Sequence, residues 1–125
     1  MPLKKIRLEL ARGEDFPTGS AQHGYEFVAP VGGDGRIDPK EWKSQRDRCR
    51  VVRFWGDAEH EHGQLVRVPN GNWAFHYREE GDIAVDDETG YRFADHVFRP
   101  GEYVTIRETD EEPHTFRVVQ VTDVA

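Results

Sequence analysis

The feature that most constrains the fold lies in residues 4–10, where charged and apolar residues alternate strictly from Lys5 onward. In an extended chain, successive side chains point to opposite faces, so this stretch has one aliphatic and one charged side. The aliphatic set is Ile6, Leu8 and Leu10, and the charged set is Lys5, Arg7 and Glu9. The pattern predicts a β-strand with one face buried.

Further short strands follow, separated by turn residues. The predicted runs are residues 25–29, 51–55, 64–68, 73–77, 91–93, 103–108 and 115–121. Asn70-Gly71 between two of them predicts a tight hairpin, since both residues tolerate positive φ. Val104 and Ile106 are expected to face inward, covered either by Phe116 with Val118 or by Val119 with Val121.

One helix is predicted near residues 39–48. Asp38 is a good N-cap, Pro39 suits the first helical position, and Glu41 follows three residues after the cap. Charges dominate the segment, so Trp42 is expected to anchor it to the domain. With 125 residues, the chain is expected to form a single domain, residues 1–125, of mostly β structure. We expect a small antiparallel β-barrel or β-roll with this helix across an opening; alternation does not decide between barrel and sandwich closure.

Composition narrows the function classes. No stretch is apolar enough to span a membrane, and the N-terminus lacks a signal-peptide pattern, so a cytoplasmic location is expected. The single Cys49 excludes an internal disulfide and a Cys-rich zinc site. A formal net charge of -7 makes nucleic acid an unfavourable partner. The expected assembly is a monomer or weak dimer.

The segment around His60 and His62 carries the residue types of a divalent-metal site. In an extended chain the two imidazoles project to the same side, and His76, His96 or Asp95 could add a third ligand. The segment resembles the cupin family, in which a His-x-His pair and a carboxylate precede a Pro-x-Gly turn and another His. The expected carboxylate three or four residues after His62 is absent. The alternative is a solvated acidic loop.

An aromatic stripe is the candidate ligand-binding surface. Trp73, Phe75 and Tyr77 alternate with smaller or polar residues and, with Trp55, could line a barrel wide enough for a small ligand. The alternative is that these rings pack the core. His76 is expected on the outer face.

A basic stretch gives a third candidate. It consists of Lys40, Lys43, Arg46, Arg48, Arg50 and Arg53. With Trp42 and Trp55 exposed nearby, it could contact RNA. The alternative is a charged helix face that balances the acidic stretches of the chain.

Residues 99–106, Arg-Pro-Gly-Glu-Tyr-Val-Thr-Ile, resemble the strand opening of flavin-binding barrels in ferredoxin-reductase-like enzymes. The Arg-x-Tyr-Ser that grips the flavin phosphate in that family is missing from the next strand. Flavin is therefore not expected.

The chain as a whole resembles a family of short uncharacterised bacterial proteins, chiefly proteobacterial. The resemblance rests on residues 23–30, 62–67 with 73–77, and 99–106 with 114–121. It implies a bacterial cytoplasmic protein and brings no activity. The favoured function is a non-enzymatic module that binds a small ligand or a protein partner. The alternatives are a metal-dependent enzyme centred on His60 and His62, and an RNA-contacting module between Lys40 and Arg53.

Overall fold

The computed structural model describes residues 3–13, 16–67, 73–77, 91–93, 96–107 and 113–124, without the side chains of residues 77, 91–93, 107 and 113. Within these residues, strands and a short helix follow one another in chain order. They are β1 (Leu3–Leu10), β2 (Ser20–Pro30), α1 (Pro39–Gln45), β3 (Arg50–Trp55), β4 (Glu61–Arg67), β5 (Trp73–Tyr77), β6 (Tyr91–Phe93), β7 (Tyr103–Arg107) and β8 (Pro113–Asp123). A 3₁₀ turn, Arg46–Arg48, joins α1 to β3.

Each strand pairs antiparallel with the next one, and β8 pairs with β1, so the described strands close into a barrel. The closing ladder runs from Lys4 opposite Asp123 to Leu10 opposite Phe116. The link between β6 and β7 is the thinnest, because its described part is one pair, Arg92 opposite Arg107. The prediction of a small antiparallel barrel with one helix is confirmed.

Large side chains fill the barrel interior. Tyr25 and Phe27 in β2 pack on Phe75 in β5, with ring centroids 5.1 and 5.2 Å apart. Phe116 closes on Tyr25 at 5.1 Å. Burying one such ring stabilises the fold by roughly 1.5–3 kcal/mol. Of the two predicted coverings of β7, the first is observed, since Phe116 and Val118 are fully buried.

Helix α1 covers one end of the barrel. Asp38 caps it, accepting hydrogen bonds from the backbone N–H groups of Lys40 at 2.9 Å and Glu41 at 3.1 Å. Trp42 anchors it, because its indole N–H donates to the Leu65 carbonyl at 2.9 Å and its ring meets Trp73 edge-on at 5.5 Å. The predicted helix start and anchor are both confirmed.

Bulges bend the strands where the barrel must curve. The ladder between β1 and β8 shifts register between Arg7 and Leu8, and the ladder between β1 and β2 shifts between Glu9 and Leu10. Gly24 is required beside the second shift, since a Cβ there would stand 1.9 Å from the Leu8 carbonyl oxygen. A bulge of this kind increases strand twist and helps a small sheet to close.

Two strands begin earlier than the alternation predicts. β2 starts at Ser20 instead of Tyr25, and β4 starts at Glu61 instead of Gln64. Both extensions are polar, and ladder partners hold them: Leu10 lies opposite Ser20, and Arg53 lies opposite Glu61. The predicted Asn70-Gly71 turn lies outside the described residues, although β4 and β5 pair as a hairpin requires.

In the described part of the chain, no helix has both the length and the apolar character needed to cross a membrane.

Candidate ligand-binding groove

The predicted aromatic stripe lies mostly in the core. Trp73 is fully buried, and Phe75 is 1% exposed. Tyr77 pairs with Gly63 in the sheet, and its side chain lies outside the described residues. The rings of Trp73 and Phe75 therefore fit the alternative in which they pack the core and do not line a ligand cavity.

Trp55 lies at the end of the barrel opposite α1, and its ring is already surrounded. His23 meets it edge-on at 4.7 Å, and His114 lies 6.1 Å away. The Arg53 guanidinium stacks on the ring at 4.3 Å, a cation–π contact. Trp55 is half-buried by these neighbours.

A serine and a histidine meet at the same end. The Ser20 hydroxyl lies 2.7 Å from Nδ1 of His23, and it also accepts a hydrogen bond from the Gln22 N–H at 3.2 Å. The backbone of Gly56 approaches the other side of the imidazole so closely that a Cβ there would lie 3.2 Å from Nε2. This pair fixes the orientation of His23 against Trp55.

The predicted metal ligands do not form a common site. His60 and His62 are exposed, whereas His76 is only 7% exposed. No group of three or more His, Cys, Asp or Glu among the described residues could hold a metal ion. His96 is described and belongs to no such group, and Asp95 lies outside the described residues.

His76 alternates outward, as predicted, but it is not a surface residue. It lies opposite Gln64, while its neighbour Phe75 faces the core. Val66 and Ala74 point to the same outer side and form a small buried cluster of their own. This outer part of β4 and β5 is therefore covered, which alternation alone could not reveal.

The basic stretch and the two tryptophans do not form one surface. Arg46, Arg48 and Arg50 are exposed near α1, whereas Trp55 lies at the far end of β3. Trp42 is half-buried against Trp73. An RNA site needs exposed rings beside the cations. Arg53 does stack on Trp55, but both tryptophan rings are half-buried.

A concave surface lies on the outside of the barrel, where β1, β7 and β8 meet the loop that leads into β2. It encloses about 730 Å³ and is called the groove below. Its lining comprises Glu9, Leu10, Ala11, Arg12, Thr18, Gly19, Ser20, Ala21, Tyr103, Thr115, Arg117 and Val119. This volume is in the range of small-molecule sites, roughly 300–1,000 Å³.

One wall of the groove carries an aromatic ring next to a guanidinium. Tyr103 is 59% exposed, and among the described residues it is the one large hydrophobic side chain that is exposed. Arg117 lies directly opposite Tyr103 in the β7–β8 ladder, on the same outer face. Directly opposed side chains of two strands have Cβ atoms about 5 Å apart, so one ligand can touch both.

The electrostatics of the groove depend on Arg7. Glu9 lies opposite Arg117 in the β1–β8 ladder, but its carboxylate is bonded to Arg7 Nε at 2.8 Å. Arg7 also contacts Glu26 at 3.2 Å and donates to the Ala21 carbonyl at 3.0 Å. Burial works to lower the pKa of Arg7, but the bonds and charges of Glu9 and Glu26 outweigh it and raise that pKa.

Arg117 is consequently left without a carboxylate partner among the described residues, and so is Arg12 on the other side of the groove. Within the part of the chain that the structure describes, the groove thus presents two guanidinium groups without an ion-pair partner, on a protein whose formal net charge is -7. Such groups bind carboxylate and phosphate in bidentate geometry.

Sequence reasoning did not find this groove. Its residues come from four separate stretches of chain that only the closed barrel brings together. The one local signal is Tyr103, an aromatic residue at an outward position of an alternating strand. Nothing in the sequence indicated a role for Arg117. Glu9 lies opposite Arg117 but pairs with Arg7, and this choice of partner is visible only in the folded structure.

Comparison with protein-family models, with curated proteins and with solved structures gave no match to this chain.

Proposed function

We propose that the protein is a non-enzymatic small-ligand-binding module and that its ligand occupies the groove on the outer face of the barrel. The observation that carries the proposal is Arg117, which has no ion-pair partner among the described residues, beside the exposed Tyr103. An apolar ring and a charged group at adjacent positions supply both the area and the orientation that a small-molecule site needs. We further propose that the protein is bacterial and cytoplasmic, as its resemblance to short bacterial proteins implies.

The filled interior supports an outer site. Tyr25, Phe27 and Phe75 pack ring against ring across the barrel. A ligand inside would have to displace at least one of them, at a cost of about 3–5 kcal/mol for an emptied aromatic position. The groove can take a ligand without such rearrangement.

The two other predicted functions have less support. The metal-dependent enzyme needs converging ligands, and His60, His62 and His76 do not converge. The RNA module needs an exposed ring near the basic residues of α1, and Trp42 is half-buried against Trp73.

The first test is a thermal-shift screen of anionic and neutral ring compounds, repeated on charge-reversal variants. A ligand that binds the folded state raises Tm. We expect stabilising compounds in the anionic set and loss of their effect in Arg117→Glu. The matched control is Arg46→Glu, which changes an exposed arginine far from the groove.

Two outcomes would contradict the proposal. One is a set of stabilising compounds whose effect is the same in Arg117→Glu and in the wild-type protein. The other is a screen in which no compound raises Tm at millimolar concentration.

A further inference from the structure

We infer that the groove takes a ligand made of a flat ring and an anionic group, the chemical class to which nucleoside monophosphates belong. This inference rests on the proposed function and specifies the ligand for the same site. It is carried by the positions of Tyr103, Arg117 and Arg12, together with the engagement of Glu9 by Arg7.

The ring half of the ligand is matched by Tyr103. Its side chain stands on the outer face at the start of β7 and is 59% exposed. On β8, Arg117 is directly opposite Tyr103, and Thr115 and Val119 are its two diagonal neighbours. A flat ring can therefore stack on the exposed phenol and also contact Val119, which lines the groove. Stacking tolerates any aromatic base.

The anionic half is matched by the two arginines. Arg117 stands one strand away from Tyr103, and Arg12 follows β1 on the other side of the groove. Ala11, between β1 and Arg12, is held by a hydrogen bond from its N–H to the Thr115 carbonyl at 3.0 Å, which fixes the backbone that carries Arg12 to β8. Both guanidiniums line the groove, and a guanidinium donates charge-assisted hydrogen bonds to phosphate oxygens.

The Glu9 carboxylate in the groove is engaged by a cation. Glu9 is the acidic residue among the described residues of the lining, and Arg7 Nε pairs with its carboxylate at 2.8 Å. Thr18 adds a hydroxyl that can contact a sugar or phosphate oxygen. The Thr115 hydroxyl is already paired with the Thr105 hydroxyl at 3.2 Å. The Ser20 hydroxyl is already used by His23 and the Gln22 N–H.

The test separates the two halves of the ligand by calorimetric titration. The probes are adenosine monophosphate, adenosine, which lacks the anion, and ribose phosphate, which lacks the ring. We expect the monophosphate to bind about tenfold tighter than either fragment. The gain over ribose phosphate is within the range for one base stacked on an aromatic side chain, and the gain over adenosine comes from charge-assisted hydrogen bonds to the phosphate.

Variants test whether Arg117 binds the anionic group of the ligand and Tyr103 binds its ring. Arg117→Gln is expected to weaken the monophosphate about tenfold and leave adenosine unchanged, since a bidentate charge contact is lost. Tyr103→Leu is expected to weaken the monophosphate and adenosine and to leave ribose phosphate unchanged. Tyr103→Phe keeps the ring and should retain binding within about twofold, and Arg46→Gln is the control for a remote arginine.

Two results would overturn this inference: equal affinity for adenosine and its monophosphate, or unchanged monophosphate affinity in Arg117→Gln. If the monophosphate does not bind but other compounds from the screen bind and lose their effect in Arg117→Glu, the class is wrong and the proposed function stands. If neither the probes nor the screen compounds bind, both fail.

Discussion

Cys49, at the end of the 3₁₀ turn, has a fully buried thiol. Burial raises the pKa of this thiol to about 11, against a smaller opposing effect of the Arg48 charge. At pH 8 the thiol is therefore protonated and shielded, and the thiolate is the form that reacts.

We predict that Cys49 reacts with a thiol reagent such as dithionitrobenzoate only when the protein unfolds. Labelling at pH 8 should be slow in buffer and fast in denaturant, and Cys49→Ser should not be labelled under either condition. Labelling of the folded protein as fast as in denaturant would contradict this account.

Gly24 combines two close approaches that no other residue type tolerates. In Gly24→Ala the new Cβ would stand 1.9 Å from the Leu8 carbonyl oxygen and 3.1 Å from the Phe54 ring. We predict a loss of about 2 kcal/mol or more in the free energy of unfolding, since the backbone of β1 must shift. The measurement is denaturant unfolding.

Gly33→Ala is the matched control for Gly24→Ala, because its Cβ would meet nothing within 4 Å. Its effect should stay within about 0.5 kcal/mol. Similar losses in the two variants would contradict the role given to Gly24.

Glu26 links stability to pH. Partial burial works to raise the pKa of its carboxyl group, but hydrogen bonds and charges from Lys5 and Arg7 outweigh it, and the pKa lies below the ordinary 4.5. A lowered pKa in the folded state means that the contribution is present above the unfolded value and is lost as pH falls through the folded value.

We predict that Glu26→Gln costs about 0.5–1 kcal/mol at pH 7, a size typical of partly exposed ion pairs. The difference from the wild-type protein should shrink as the pH drops below 4.5 and vanish when Glu26 is protonated in both states. Denaturant unfolding at several pH values measures it, and a difference independent of pH would contradict the assignment.

Among the elements, α1 shows how a short helix is specified by its ends. Its N-cap could be read from the sequence, because the capping residue, the proline and the acidic first turn are local signals. We predict that Asp38→Ala lowers the free energy of unfolding by about 1 kcal/mol, the usual cost of a lost cap.

Asp57→Ala, in an exposed turn, is the control for the charge removed by Asp38→Ala. Urea unfolding of the two variants provides the comparison. Equal small effects would mean that the Asp38 cap does not stabilise α1.

Some strand bounds could be predicted from local sequence and others could not. β1 and β5 were predicted at nearly their observed bounds, because their alternation is complete within the strand. The first residues of β2 and β4 were not predicted, since Ser20 and Glu61 have no apolar pattern and are extended only because a neighbouring strand pairs with them. Pairing of this kind is a tertiary effect that a single stretch of sequence does not carry.

For the whole molecule, the sequence predicted a barrel without being able to separate it from a sandwich. Closure is decided by the pairing of β1 with β8, which lie at opposite ends of the chain. The same closure forms the groove, because it places Glu9, Arg117 and Tyr103 in one row across three strands. The predicted site residues lie elsewhere, since aromatic and histidine patterns show residue type and not the contacts made in the fold.

The central claim is that a ligand binds outside the barrel, in the groove, and the most direct measurement is an amide NMR titration with a stabilising compound. We predict that the largest shift changes fall in residues 9–12, 18–21, 103 and 115–119, which line or border the groove. Changes concentrated instead in the interior-facing strand residues Phe27, Trp73 and Phe75 would contradict the account and place the ligand inside the barrel.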